Sequence, residues 1–307
     1  METKLHLTSS PHIHSGNSTR KVMLDVVISL LPATVAGMVL FGISAFFVIA
    51  VTVAVAVGVE YLFNLITKKE QTIGDLSAVV TGLLLALNLP ANIPLWQAAV
   101  GAVFAIIVVK CLFGGIGCNV VNPAITARVF MIIAFGSIAK AAFPVDAASS
   151  ATPLVDLAAG KMTNISDLLW GNIGGAIGET CSIALLIGGI YLLVRKVITW
   201  QVPVSFIGSV FILSLLLEGF DFTLALGWIL SGGLFIGAFF MATDYVTSPS
   251  TPWGKIIFGV LAGVITVLIR FYGNYPEGVS FGILLANILN PYIESWTPRK
   301  LFGGEKK

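Results

Sequence analysis

"VMLDVVISLLPATVAGMVLF", residues 22–41, runs twenty residues with a single charge, Asp25. A helix of that length rises about 30 Å, the thickness of a bilayer's hydrocarbon core. Two further stretches repeat the pattern: 46–65 carries only Glu60 and 72–91 carries only Asp75. The whole chain of 307 residues is 57% hydrophobic and 10% charged. Soluble domains carry about 25% charged residues, so this chain has too few charges to face water on all sides. It reads as an all-α integral membrane protein. The first apolar run follows some twenty polar residues without a small-residue cleavage pattern, which marks a retained helix and not a removed signal peptide.

Working outward, ten apolar segments are predicted: 22–41, 46–66, 73–89, 95–111, 119–136, 172–194, 203–217, 223–243, 256–272 and 278–297. That gives about ten transmembrane helices in two five-helix halves. The expected organisation is a leader at 1–20, a first half at 21–136, a loop at 137–171, a second half at 172–298 and a tail at 299–307. Basic residues cluster at alternate ends: Arg20 and Lys21, Lys68 and Lys69, Lys110, Arg195 and Lys196, Lys255, and Arg299 and Lys300. The short turns 42–45, 90–94, 218–222 and 273–277 have none, and only Lys140 and Lys161 break the pattern. Positive charge is retained on the cytoplasmic side, which puts both termini in the cytoplasm and 137–171 outside, in a multi-pass protein of the cell's inner (plasma) membrane.

Several function classes are excluded. Net charge is +2, and no basic stripe with interleaved aromatics suggests nucleic acid. Cys111, Cys118 and Cys181 form no CxxC pair and read as small buried hydrophobes; His6, His12 and His14 all lie in the leader, so no metal site is assigned. Carboxylates are scattered, with no HExxH or P-loop, and no catalytic residue is assigned. Glu60, Asp75, Glu179 and Glu218 lie within or at the ends of apolar segments, where ionisable groups mark candidate ion paths.

Three polar stretches interrupt this apolar chain. "LFGGIGCNVVNPA" (112–124) has Gly114, Gly115 and Gly117, which permit left-handed backbone. Asn119 and Asn122 can cap orphan amides or bind a polar ring, and Pro123 suits a first helical turn. Arg128, one turn further on, needs a phosphate, an acidic partner or the interface. In "FFMATDYVTSPSTPWGK" (239–255), Asp244 and Thr247 either bind a cation or heterocycle or satisfy a helix end. Matching interrupted segments are what an internal repeat leaves behind, and cytoplasmic turns are the plainer alternative. The third stretch, "DAASSATPLVDLAAG" (146–160), is small and hydroxyl-rich, either plain loop or the holder of a cofactor. Composition by itself reaches a polytopic transport or electron-transfer subunit.

"KCLFGGIGCNVVNPA" (110–124), "FFMATDYVTSPSTPWGKIIFG" (239–259) and "DAASSATPL" (146–154) resemble, in order and spacing, the RnfD and NqrB family of membrane subunits. The similarity runs from about residue 20 to 300 and is nearer the RnfD side, because the longer N-terminal extension of NqrB chains is absent. The resemblance implies a urea-transporter-like fold and FMN joined through its phosphate to a threonine, attached by an exported flavin transferase. In this sequence Asp146, Ser149, Ala151 and Thr152 match that signature and Thr152 is the acceptor, with Ser150 where glycine is usual. It also implies a second, noncovalent flavin such as riboflavin in some members, near the interrupted segments. The implied role is an electron-transfer subunit, not catalytic alone. It works in a complex with RnfA, RnfB, RnfC, RnfE and RnfG that couples ferredoxin–NAD electron transfer to Na⁺ or H⁺ movement across the lipid bilayer. An NqrB-type quinone reductase subunit and a non-redox channel of urea-transporter type are the alternatives.

Overall fold

A computed structural model describes residues 18–136, 142–144, 152–273 and 277–298. The described chain is helical throughout; among these residues the only extended pairing is a single bridge between Ala142 and Gly175. Helix α1 (Thr19–Phe41) starts at Ser18, whose side chain accepts from the Lys21 N–H. It ends at Gly42, which at φ 69° turns the chain in one residue into α2 (Ile43–Ile66). A 3₁₀ turn at Ile73–Asp75 leads to α3 (Ser77–Leu87). Then come α4 (Leu95–Val103), running on as a π-helical turn at Phe104–Cys111, and α5 (Pro123–Ala134). Two short helices, α6 (Pro153–Ala158) and α7 (Ile165–Trp170), precede α8 (Ser182–Val194) and α9 (Gln201–Leu217). The remainder is α10 (Phe222–Leu230), α11 (Leu234–Ile236) with a π turn at Gly237–Met241, α12 (Pro252–Tyr272) and α13 (Val279–Trp296).

Lipid is written on the outside of this bundle. Val39, Ile43, Leu62 and Ile66 are exposed on the two longest helices. Five of the six tryptophans are exposed, and Trp96, Trp170, Trp200, Trp253 and Trp296 all stand at helix ends. That is where amphipathic rings settle at a membrane–water interface. Inside, small residues let backbones approach closely: the Ser205 and Ser209 hydroxyls of α9 occupy the places where side chains on Gly259 and Gly263 of α12 would project.

The expectation of ten crossings in two five-helix halves is corrected. Among the described residues, three helices are long and apolar enough to cross a membrane: Thr19–Phe41, Ile43–Ile66 and Pro252–Tyr272. A fourth crossing is counted if Phe222–Leu230 and Leu234–Met241, bent by 63° at their junction, form one span. The reason is backbone geometry that hydropathy does not record. The 73–89 run yields only eleven residues of α-helix, about 16 Å, because Leu76 sits in the left-handed region at φ 65°. The 172–194 run spends its first ten residues in non-helical backbone. In the 223–243 run the helix breaks at 231–233. The pieces at 173–181 and 231–233 are largely buried within the protein, where their peptide groups find partners. Ile177 and Gly178 donate to the Leu89 and Leu87 carbonyls at 3.0 and 2.7 Å, the condition for non-helical backbone at membrane depth.

Candidate functional site

The two polar breaks meet. Asn122 caps α5, its Oδ1 accepting from Ala124 and Ile125 N–H at 3.0 and 3.3 Å, with Pro123 at the first helical position. Its amide donates to the Met241 carbonyl at 3.2 Å, where the π turn of the second break ends. Asn287 on α13, oriented to satisfy both neighbours, donates to the Thr247 carbonyl and accepts from the Asn122 N–H, each at 3.2 Å. Gly114, Gly115 and Gly117 adopt φ of 120°, 97° and 84°, the left-handed backbone their sequence allowed. Asn119 donates to the Val121 carbonyl at 3.1 Å. Asp244 accepts from Thr247 Oγ1 at 3.2 Å, while its carbonyl takes the Ser248 hydroxyl at 2.6 Å. Burial pushes the Asp244 carboxyl above the usual carboxylate range, and bonds from Val246, Thr247 and Asn119 pull it back.

Between the breaks lies a cavity of about 130 Å³, with Ser77, Lys110, Asn119, Asn122 and Asp244 among its lining residues. Ligand clefts run to roughly 300–1,000 Å³. Water or a small ion fits here. Lys110, read from sequence as a charge at the inner end of an apolar segment, is buried: its Nζ lies 2.7 Å from Glu60 Oε2 and 2.6 Å from Ser77 Oγ. Asn122→Leu is expected to lower thermal stability by about 2–4 kcal/mol, the sum of a lost cap and a Met241 carbonyl left unpaired in the interior. A variant melting within a degree of the parent in detergent would leave Asn122 a tolerated loop residue.

Arg128 is answered by acidic partners. It binds Asn88 Oδ1 through Nη1 and Glu277 Oε2 through Nη2, and Glu179 Oε2 stands 3.6 Å from Nη2. Nearby, Arg270 spends its guanidinium on carbonyls: Nη1 to Trp228 at 2.6 Å, Nη2 to Ser231 at 3.1 Å and Nε to Glu277 at 3.2 Å. It thereby caps the broken end of α10. The other acidic candidates have local duties. Asp75 accepts from the Ser77 N–H at 2.8 Å where α3 begins, and Glu218 accepts from the Trp228 indole at 2.8 Å. Cys111 is buried and Cys181 half-buried, but Cys118 is exposed, a correction to its reading as a buried hydrophobe.

Thr152 sits at the N-cap of α6 with φ −68° and ψ 150°, half-buried, and its side chain makes no capping bond. Its carbonyl instead accepts from Val155 and Asp156 N–H at 2.9 and 3.0 Å. Leu154 and Leu157 root α6 in a small separate core with Trp228, Met162, Leu224 and Phe271. Leu154 Cδ1 lies 2.8 Å from where a Gly232 side chain would begin. Among the described residues the Thr152 hydroxyl makes no capping bond, and its helix packs against the α10–α11 break. Asp146, Ser149, Ser150 and Ala151 lie outside the described residues.

Comparison with known proteins gives a family model, NQR2, RnfD, RnfE family, matching residues 6–303. The chain is 44% identical to the D-type subunit of the Na⁺-translocating ferredoxin:NAD⁺ oxidoreductase complex of Acetobacterium woodii, covering 99% of this chain and 97% of that one. It is 41% identical to the D-type subunit of the proton-translocating ferredoxin:NAD⁺ oxidoreductase complex of Clostridium ljungdahlii, over 97% and 96%. With the D-type subunit of the ion-translocating oxidoreductase complex of Actinobacillus succinogenes it shares 34% identity, over 97% of each.

Proposed function

The chain belongs to the NQR2, RnfD, RnfE family, and from that premise we propose how it serves as the D-type membrane subunit of an ion-translocating ferredoxin:NAD oxidoreductase complex. End-to-end similarity to subunits of that description is the observation that carries this role. The chain is a multi-pass membrane protein and is not catalytic alone. RnfA, RnfB, RnfC, RnfE and RnfG are its proposed partners, with NAD and ferredoxin handled by soluble subunits.

The proposed cofactor is FMN, joined through its phosphate to Thr152 by an exported flavin transferase, with Asp146, Ser149, Ser150 and Ala151 as the recognition segment. A hydroxyl without a capping bond among the described residues and the firm seat of α6 support this assignment. Bound there, the flavin supplies a redox centre, while the protein supplies position and surroundings. Asn119, Asn122, Asp244 and Thr247 hold the break in shape and line or flank the small cavity, to which no second flavin is assigned. Arg128 belongs to the acidic cluster instead. A chain purified with its complex is expected to fluoresce under ultraviolet light after denaturing electrophoresis and to carry the FMN mass. A dark band with the unmodified mass would remove the flavin from the reading.

We further propose that the leader 1–20 and tail 299–307 are cytoplasmic and that 137–171 faces outward, between membrane parts at 21–136 and 172–298. Ala158 and Thr67 are both exposed. In a background without the three native cysteines, a cysteine at Ala158 should label with an impermeant thiol reagent from outside intact cells, and one at Thr67 should not. The opposite pattern reverses the orientation.

A further inference from the structure

The small cavity between the two breaks has a mouth. Among the described residues that line it, only Ile116 and Tyr245 are exposed, and Tyr245 is 58% so. Behind them lie the buried Lys110, Asn119 and Asn122, with the half-buried Asp244 next to Tyr245 in the chain. A ring that lines a cavity and also meets solvent stands across its entrance.

That ring is pinned from one side. The Tyr245 hydroxyl donates to the Val197 carbonyl, and the turn carrying Val197 completes the wall, since Val197 and Ile198 are buried and both line the cavity. The turn follows α8 and bends through Lys196 at φ 56°, with the Val197 N–H returning to the Leu192 carbonyl at 3.0 Å. Glycine ordinarily fills this left-handed place after a helix. Lysine there is strained and stays only while its surroundings impose it. Two of the ties that impose it are weak. Arg195 pairs with Asp25 Oδ2 of α1 at 3.2 Å, and Lys255 Nζ of α12 donates to Thr199 Oγ1 at 3.0 Å, both at exposed positions where such contacts contribute little. The part-buried Tyr245 bond and the burial of Val197 and Ile198 supply the rest.

We propose that Tyr245 and the turn 195–200 form a gate over this cavity. With the phenol on the Val197 carbonyl the mouth is shut. When that bond parts, the ring swings outward, Lys196 leaves its left-handed conformation, and the turn draws Val197 and Ile198 off the wall. Water and small polar solutes then reach Lys110 and Asp244 from the side that bears Arg195, Lys196 and Lys255. Shut, the gate keeps water from the Lys110–Glu60 pair, whose attraction is strongest in a dry interior. The gate sets when those charges meet solvent.

The test follows a cysteine at Thr81, a buried wall residue on α3, in the complex purified in detergent from a background without the three native cysteines. A cysteine at exposed Thr67 gives the rate for open access, and one at Ser214, buried on α9 away from the lining residues, reports any loosening of the whole bundle. The probe is aminoethyl methanethiosulfonate, a small water-borne cation. In the parent, Thr81→Cys is expected to label about a hundredfold more slowly than Thr67→Cys, because it waits on a local opening. Tyr245→Phe removes the hydroxyl and keeps the ring; it should speed Thr81→Cys about five- to tenfold, the effect of one lost hydrogen bond, with Ser214→Cys unchanged. Lys196→Gly fits the left-handed place without strain and should slow Thr81→Cys about threefold. Parental labelling in Tyr245→Phe overturns the gate, as does an equal rise at Ser214→Cys. Thr81→Cys labelling as fast as Thr67→Cys in the parent would show a mouth that never shuts, and overturns it too. Should Tyr245→Phe fail to assemble, Lys196→Gly decides alone: a slower rate supports the gate, and an unchanged or faster one overturns it.

Discussion

Thr152→Ala is expected to abolish covalent flavin while the chain still inserts and joins its complex. A threonine at an N-cap ordinarily contributes about 0.5–2 kcal/mol through its side-chain bond to the next turn, but Thr152 makes no such bond. The seat of α6 comes from Leu154 and Leu157 against Trp228, which the substitution leaves alone. The folding cost should therefore stay near about 0.5 kcal/mol, and electron transfer through the complex should fall to near background. Thr152→Ser keeps the hydroxyl and should retain part of the attachment. Ser149→Ala and Ser150→Ala serve as controls, since both hydroxyls lie close by in sequence. Intact mass decides the matter: an FMN increment on the Thr152→Ala chain would move the acceptor elsewhere.

Lys110→Met should have the largest effect on stability. Lys110 and Glu60 are 3% and 1% exposed, and their 2.7 Å pair ties the π turn after α4 to α2. Removing one member of a buried pair leaves a charge without compensation and costs about 3–5 kcal/mol. Glu60 would keep only the Thr72 hydroxyl. The double variant Glu60→Gln, Lys110→Met should recover most of the loss, because the desolvated charge goes with its partner. Thermal unfolding in one detergent reads both. Equal melting of the single variant and the parent would show that the pair is hydrated and of little consequence.

Much of this was legible in the chain. The runs at 22–41 and 46–66 became α1 and α2 nearly residue for residue, because nothing interrupts their helical backbone. Asn122 followed by Pro123 announced a capped helix start. Arg128 announced that it needed a partner. Which partner was beyond reach, since Glu277 lies 149 positions away and reaches it only through folding. Lys110 followed the charge bias of loop ends so well that its pairing with Glu60, 50 positions earlier, stayed hidden. Asn88, Asn287 and Arg270 were missed because an asparagine or arginine in an apolar run carries no local sign of the carbonyl it will meet. The count of crossings failed for a related reason. Hydropathy sums over residues and is blind to the left-handed Leu76 or the bend after Leu230.

The perch of α6 has a mechanical consequence. Leu154 rests against Gly232 at the bend, and Arg270 clasps the Trp228 and Ser231 carbonyls just before it. Thr152 therefore has no suspension of its own. If α10 and α11 straighten, the ledge under Leu154 tilts and Thr152 rides with it, as a pointer rides on the hinge to which it is fixed. Whatever group hangs from that hydroxyl would swing on the same pivot.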